Sequence, residues 1–105
     1  MCRFIFLFLL CLSASVVFGQ KTDLTATPTE PYENVSVNKI YSDSLSSTFV
    51  IHIKKEVPLH KHLNHTEQVY ILSGTGIMRL DDLMLEIKAG DFIVIPKGSL
   101  HGVTV

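Results

Sequence analysis

The sequence has 105 residues, of which 9 are basic and 10 are acidic, so the formal net charge at neutral pH is −1. This even balance provides neither a basic patch for nucleic acid nor a block of positive charge for a membrane surface. The length allows one small domain and leaves no room for two.

The first 19 residues have the composition of a secretory signal peptide. Arg3 supplies a short positive region, residues 4–12 are continuously apolar, and small residues follow, with Val17 and Gly19 at the −3 and −1 positions. The alternative is a single membrane anchor, but the apolar run is shorter than the roughly 20 residues that a spanning helix needs. We therefore predict cleavage after Gly19 and a secreted or periplasmic mature protein, with no membrane attachment once the leader is removed.

Removing residues 1–19 changes the chemistry that the rest of the chain can use. Cys2 and Cys11 both lie in the leader, so the mature chain has no cysteine for a disulfide, despite its oxidising destination. Losing Arg3 leaves 8 basic and 10 acidic residues, a net charge of −2. Residues 20–34 are polar and contain several Thr and Pro residues, which predicts a flexible arm before a domain over 35–105.

Beyond the arm, short β-forming runs alternate with turn residues, and no ten-residue stretch shows a helical period. This pattern predicts an all-β fold, a small antiparallel β-barrel or jelly roll. The side chains of Leu83, Leu85 and Ile87 should share one apolar face, whereas the run 92–95 is apolar on both faces and should be buried between layers. The glycines at 74, 76, 90 and 98 are expected in turns. The predicted strands cover residues 35–41, 48–53, 67–72, 77–80, 83–87, 91–95 and 101–105, with Asp81-Asp82 as a hairpin turn.

Three histidines and one carboxylate have spacings that allow them to converge on a single metal ion. His60 and His62 are two residues apart, so on an extended strand both imidazoles project from the same face. Glu67 is five residues beyond His62, so on a straight strand its side chain would point away from both histidines. It can turn inward only if residues 63–66 form a loop. His101 follows a Pro-Gly turn. Imidazole nitrogens with one carboxylate oxygen suit Fe, Mn, Ni, Zn or Cu better than Ca or Mg, which prefer oxygen ligands.

Two motifs in residues 54–105 resemble those of the cupin superfamily, in particular its small single-domain, type-2-like members. The first motif is His60-Lys61-His62, four residues, Glu67, six residues and Gly74; the second is Gly90, five residues, Pro96-Lys97-Gly98, two residues and His101. The resemblance implies a small β-barrel that holds a divalent transition metal through His60, His62, Glu67 and His101. Open coordination positions would then face the mouth of the barrel.

The sequence departs from this family pattern at three places. Lys54 stands where the first motif often opens with Gly, and Val105 stands where the second often ends with Asn. The third departure is that the chain stops within the strand that His101 begins. Because an unpaired final strand would expose backbone groups, we expect an incomplete chain. The alternative is a barrel completed by the N-terminal strands or by a second subunit.

Three other polar residues are weaker candidates for a role at the site. His52 lies in a β-rich run and is expected to be a core residue. His65 lies in the loop before Glu67 and is expected to be exposed, although it could replace a ligand or transfer protons. The direction of Arg79, which could contact an anionic substrate, is undecided. The glycosylation acceptor patterns at Asn34 and Asn64 are interpreted as chance matches.

Two classes of function fit these residues. A metalloenzyme would use the metal for dioxygenase, oxidase, isomerase or decarboxylase chemistry on a small organic molecule, with catalytic residues other than the ligands unknown. A binding module would hold a metal or small ligand without turnover. In a third, weaker alternative the barrel is completed only in a homodimer.

Overall fold

The structure is a computed structural model that describes residues 19–25, 28 and 30–105. The predicted signal peptide, residues 1–19, therefore lies outside the described residues except for Gly19. Within the described part of the chain, no helix has the length and apolarity required to span a membrane.

Eight β-strands make up the regular structure of the described residues. All seven predicted strands are present, with ends that differ from the prediction by at most two residues. An eighth strand, which the sequence pattern did not predict, lies between the second and third of them. The strands are Val35–Ser42 (β1), Ser47–Ile53 (β2), Glu56–His60 (β3), Glu67–Tyr70 (β4), Thr75–Leu80 (β5), Leu83–Lys88 (β6), Phe92–Ile95 (β7) and His101–Thr104 (β8).

The strands form three antiparallel sheets. Four strands pair in the order β3-β8-β5-β6, while β4 pairs with β7 and β1 pairs with β2. The prediction of an all-β, antiparallel, jelly-roll-like fold is confirmed, although the sheets of the described residues do not close into one barrel. Strand β8 lies inside the four-stranded sheet, paired with both β3 and β5. This strand therefore has a partner on each side, whereas the incompleteness of the chain stays a prediction.

The core lies between the four-stranded sheet and the β4–β7 pair. Its most buried side chains are Met78 and Ile95, each 2% exposed, and Ile87, which is 7% exposed. The alternation predicted for β6 is present, because Leu85 and Ile87 are covered while Met84, Glu86 and Lys88 are exposed. Leu83, at the start of the strand, is 59% exposed and is not part of the covered face. The side chains that pack around the three central residues are Val69, Ile71, Leu80, Leu85, Ile93 and Val103.

Strand β7 is not buried on both faces. Ile93 and Ile95 point into the core, but Phe92 is 60% exposed and Val94 is 47% exposed. The prediction of a strand buried between layers was wrong, because no second layer covers the outer face of the β4–β7 pair among the described residues.

Two glycines allow strands of the four-stranded sheet to approach one another closely. A Cβ atom at Gly102 on β8 would lie 2.8 Å from the carbonyl oxygen of Val57 on β3. A Cβ atom at Gly76 on β5 would lie 2.7 Å from the carbonyl oxygen of Thr104 on β8. Gly76 is thus a strand residue and not the predicted turn residue. By contrast, the glycines at 74, 90 and 98 have positive φ angles of 81°, 94° and 85°, as their predicted turns require.

Candidate metal centre

The four predicted ligands are brought together from three strands and one loop. His60 is the last residue of β3 and is the register partner of His101, the first residue of β8. Glu67 begins β4. His62 follows β3 and is not part of it, so the prediction that an extended strand places both His60 and His62 was only half right. The predicted loop at residues 63–66 is present, and it places Glu67 on the same inward face of β4 as Val69.

Backbone contacts hold the loop carrying His62 against the second motif. The Gly98 N–H donates a hydrogen bond to the His62 carbonyl oxygen at 2.7 Å. One residue earlier in the same turn, the Lys97 N–H donates a hydrogen bond to the Thr66 hydroxyl at 3.4 Å. The Pro-Gly turn after β7 therefore fixes the position of His62, and it also precedes His101 in the chain.

The candidate ligand atoms lie within a few ångströms of one another. One ring nitrogen from each of His60, His62 and His101 lies within 4.8 Å of the other two. The Glu67 Oε2 atom is 3.3 Å from His62 Nε2 and 3.2 Å from His101 Nε2. The structure thus gathers three histidines that could hold a metal ion, with the Glu67 carboxylate beside two of them.

Carbonyl oxygens orient two of the imidazole rings. His60 Nδ1 lies 2.8 Å from the Pro58 oxygen, and His101 Nδ1 lies 3.0 Å from the Ser99 oxygen. A carbonyl oxygen only accepts, so Nδ1 carries the hydrogen in both rings and the Nε2 lone pair is left for a metal. Each acceptor lies two residues before its histidine. Sequence reasoning did not identify these acceptors, because any residue offers a carbonyl and no side-chain type marks one.

The environment of Glu67 and His101 fits a positively charged ion. Glu67 Oε2 and His101 Nε2 are both buried, and neither atom has a hydrogen-bond partner. Buried polar atoms normally have partners, and a carboxylate oxygen without one is costly. Two donors that each lie about 2.1 Å from one ion are separated by about 3.0–3.4 Å in octahedral or tetrahedral geometry. The observed separations of 3.2 and 3.3 Å match that range.

Burial differs across the cluster and defines its open side. The side chain of His101 is 5% exposed, whereas those of Glu67 and His62 are 30% and 34% exposed.

Partial burial lowers the pKa of His62 below its ordinary value. The Glu67 carboxylate opposes this effect, and the imidazoles of His65, His60 and His101 add to it. A lowered pKa keeps the His62 ring neutral at physiological pH, the form that binds metals.

The remaining candidate residues take up different positions. His65 is exposed, as predicted, and its ring stacks on that of His62 at a centroid distance of 4.4 Å. His52 lies on β2 with its ring 6.5 Å from that of Tyr32, and the three-histidine cluster does not include it. Arg79 points away from the cluster. With Gly102, it lines an open groove on the outer face of the four-stranded sheet.

Asn34, the first glycosylation pattern, serves as a structural link between the arm and β3. Its Oδ1 atom accepts hydrogen bonds from the N–H groups of Lys55 and Glu56, and its Nδ2 atom donates to the Glu56 carbonyl oxygen. The interpretation of this glycosylation pattern as a chance match stays a prediction.

Comparison with known proteins identifies the class to which this fold and site belong. Residues 48–105, just over half of the chain, match the Cupin_2 family, described as a cupin domain. The chain therefore belongs to the cupin family, and the resemblance inferred from the two motifs is confirmed.

Three similar proteins extend this finding. A cupin-2 domain protein from Shewanella frigidimarina NCIMB 400, with a known crystal structure, superimposes with a TM-score of 0.62 at 23% identity, over 70% of this chain and 72% of that chain. This similarity concerns the fold. An uncharacterized protein of Methanocaldococcus jannaschii is 40% identical over 52 residues, which cover 50% of this chain and 42% of the relative. Another from Aquifex aeolicus strain VF5 is 36% identical over 70 residues, or 66% and 57% respectively. The chain thus spans about half the length of these two relatives.

Proposed function

We propose that this cupin-domain protein is exported and binds one divalent transition metal, Fe, Mn, Ni, Zn or Cu, through His60, His62, Glu67 and His101. The observation that carries the proposal is the pair of buried, unpartnered atoms Glu67 Oε2 and His101 Nε2, which lie 3.2 Å apart. Without an ion between them, the Glu67 Oε2 atom would be held away from water with no donor. With an ion, both atoms and the two other imidazoles become ligands of one positive charge.

The chain's own residues would each contribute differently to such a centre. Glu67 supplies one negative charge against the two positive charges of the ion, which favours a divalent metal over a monovalent one. The carbonyl oxygens of Pro58 and Ser99 hold the rings of His60 and His101 in the tautomer that leaves Nε2 available. When bound, the metal would supply Lewis-acid or redox chemistry to a small organic molecule at its open positions.

We place the approach of that molecule on the His62 side of the centre. The His101 side is closed, since its side chain is 5% exposed, whereas His62 retains 34% exposure. On that open side the proposed activity is oxidoreductase chemistry of the dioxygenase or oxidase type, or isomerase or decarboxylase chemistry. The His65 ring, which stacks on His62, would form part of the entrance.

A non-catalytic binding module is the second candidate, and one observation favours it. Among the described residues, Glu67 provides the only carboxylate within 4.0 Å of these imidazoles, so no separate carboxylic acid stands ready as a general acid or base. Oxygen-uptake and product assays of the metal-loaded protein with small organic acids, sugars and phenols separate the two candidates. Turnover with any substrate supports the enzyme, and a tightly held metal without turnover supports the binder.

The metal site itself is tested by elemental analysis of the natively expressed protein. We expect close to one metal per chain in the wild type and a large loss in His62→Ala, whereas the matched control His52→Ala should keep its metal. Because His101→Ala removes a buried ring, Glu67→Gln provides a second test that preserves shape. A full metal load in His62→Ala, Glu67→Gln and His101→Ala alike would contradict the site.

Two further measurements test the contribution of the metal to stability and the cleavage of the leader. Removing the metal with a chelator should lower the melting temperature, since a ligand at 100 times its Kd contributes about 2.7 kcal/mol, or about 10–20 °C for a domain of this size. Export is tested by N-terminal sequencing of the secreted protein, which should begin at Gln20. An intact Met1 on the mature protein would exclude cleavage of the leader.

A further inference from the structure

Among the four candidate ligands, His62 is the one that no strand carries. His60 ends β3, Glu67 begins β4 and His101 begins β8, whereas His62 lies in the loop between β3 and β4. Its backbone is anchored, because its carbonyl oxygen accepts a hydrogen bond from the Gly98 N–H at 2.7 Å. This anchor fixes the backbone and leaves the imidazole free to turn about its side-chain bonds.

Backbone carbonyls orient the rings of the other two histidines but not the ring of His62. His60 Nδ1 and His101 Nδ1 each face a carbonyl oxygen two residues earlier, at 2.8 and 3.0 Å. Within residues 30–105, no such hydrogen bond reaches His62 Nδ1. The last side-chain torsion of a histidine is broad when nothing restrains it, and histidines that bind metals almost always have an outer partner that fixes the ring. His62 therefore needs a partner of another kind.

The ring of His65 lies directly against the ring of His62. The two rings stack with their centroids 4.4 Å apart and their planes inclined by 29°. Offset stacking is a preferred arrangement of flat ring systems and stabilises the pair. Because His65 is exposed, the stack lies on the open side of the cluster.

The loop is tied to the second motif at both ends of this stacked pair. The Gly98 N–H donates to the His62 carbonyl oxygen, and the Lys97 N–H donates to the hydroxyl of Thr66, the residue after His65. The chain turns back between these two contacts, so that a ring three residues further on lies over the first. The stack is thus built into the loop by its anchors.

The stacked geometry makes His65 unsuitable as a ligand of the ion that His62 would bind. The lone pair of an imidazole nitrogen lies in the plane of its ring, so a shared ion must lie in both ring planes. The planes of two stacked rings inclined by 29° converge only well beyond the rings, whereas a metal lies about 2.1 Å from each nitrogen that binds it. Accordingly, the cluster of ring nitrogens within 4.8 Å of one another contains His60, His62 and His101 but not His65.

We infer that His65 is the positioning residue of the His62 ring, and that its stacked imidazole does for His62 what a backbone carbonyl does for each of the other two histidines. The inference rests on the proposed function and adds to it a residue that binds no metal itself. Without the stack, the His62 ring can turn away from the cluster on its open side. Metal should then be bound more weakly and released faster.

The stack is tested first in the metal-free protein, by nuclear Overhauser contacts between the ring protons of His62 and His65. We expect these contacts in the wild type and in Asn64→Ala, a control at an exposed position of the same loop. The melting temperature of metal-free His65→Ala should stay close to that of the wild type, because this side chain is exposed and lies outside the core. Absence of the ring-to-ring contacts would overturn the inference without bearing on the metal site.

The positioning role is then tested with Zn²⁺, by competition against a chromophoric chelator. We expect His65→Ala to bind Zn²⁺ on the order of 10-fold more weakly than the wild type, the lower end of the range for loss of an outer partner, and to release it faster to EDTA. His65→Phe keeps a flat ring without a nitrogen donor and should restore the wild-type affinity. Asn64→Ala should also bind as the wild type does.

Each contrary result has a distinct meaning. If His65→Phe bound Zn²⁺ as weakly as His65→Ala, His65 would act through a nitrogen, as a ligand, and the inference would be overturned. Wild-type affinity in His65→Ala, or equal weakening in Asn64→Ala, would overturn it while leaving the metal site intact. A wild type that binds no Zn²⁺ would contradict the proposed function itself, and the positioning role with it.

Discussion

Replacing Gly102 by Ala should impair stability and metal binding together. The added Cβ would lie 2.8 Å from the Val57 oxygen, 3.2 Å from Leu59 N and 3.3 Å from Leu59 Cα. Ordinary contacts of this kind begin at 3.4 Å, so β3 must move away from β8 by about 0.6 Å. The obstacle is backbone on every side, and it cannot be relieved by rotating a side chain. Overpacking of this kind costs about 1–3 kcal/mol, which lowers the melting temperature of a small domain by about 4–8 °C per kcal/mol.

The same displacement acts on the metal centre, because the ligands His60 and His101 are carried by the two strands that separate. Metal–ligand distances tolerate deviations of about 0.2 Å, which is a third of the expected shift. We therefore expect Gly102→Ala to bind metal more weakly than the wild type in isothermal titration calorimetry, in addition to its lower melting temperature.

Gly74→Ala is the matched control for this change. Gly74 has a φ of 81°, and an added Cβ there meets no atom within 4 Å. The substitution should cost about 1–2 kcal/mol through its left-handed backbone without moving β3 or β8. Metal affinity should then stay close to that of the wild type. If Gly102→Ala bound metal as tightly as Gly74→Ala, the link between strand spacing and the metal centre would be refuted.

Two further predictions concern the core and one turn. Met78→Ala should reduce the free energy of unfolding by about 2–5 kcal/mol in chemical denaturation, because Met78 is 2% exposed; the control Met84→Ala, at a site 67% exposed, should change it by less than about 0.5 kcal/mol, and equal effects would contradict the assigned core. For Asp91, hydrogen bonds from the backbone N–H and the ammonium of Lys88 lower the carboxyl pKa. A lowered folded-state pKa means that its stabilisation is complete above the ordinary value of about 3.9 and is lost as the pH falls through the folded-state value. The stability difference between wild type and Asp91→Asn should thus shrink below about pH 3.9 in thermal melts, and a difference independent of pH would contradict this role.

The sequence predicted most of the strands because alternation and turn residues are local signals. It failed at β3, where Lys54, Lys55 and Pro58 interrupt the apolar pattern, although tertiary pairing with β8 still produces a strand there. It also failed for Phe92 and Val94. An apolar residue is compatible both with burial in one chain and with burial against another surface, and composition cannot distinguish the two.

The sequence also predicted that the candidate ligands lie close together, but this prediction came from the two motifs and not from local strand signals. The two motifs fix which residues are brought together, and the structure places His60, His62 and His101 within reach of one ion, beside Glu67. That all four bind a metal stays a prediction. The roles of Gly76 and Gly102 depend on distances between strands that are far apart in sequence. For Gly76, a local interpretation as a turn residue was therefore wrong.

The position of β8 in the four-stranded sheet has a consequence for how the protein is made. Strands β3, β5 and β6 leave the ribosome earlier, yet β3 has no described partner until β8 is inserted between it and β5. The pairing of Val57 with Val103 closes a long loop, and such closures slow folding. In a nascent chain with this order of synthesis, the hairpins β1–β2 and β5–β6 can form early, whereas β3 joins the four-stranded sheet last, once His101–Thr104 has been made.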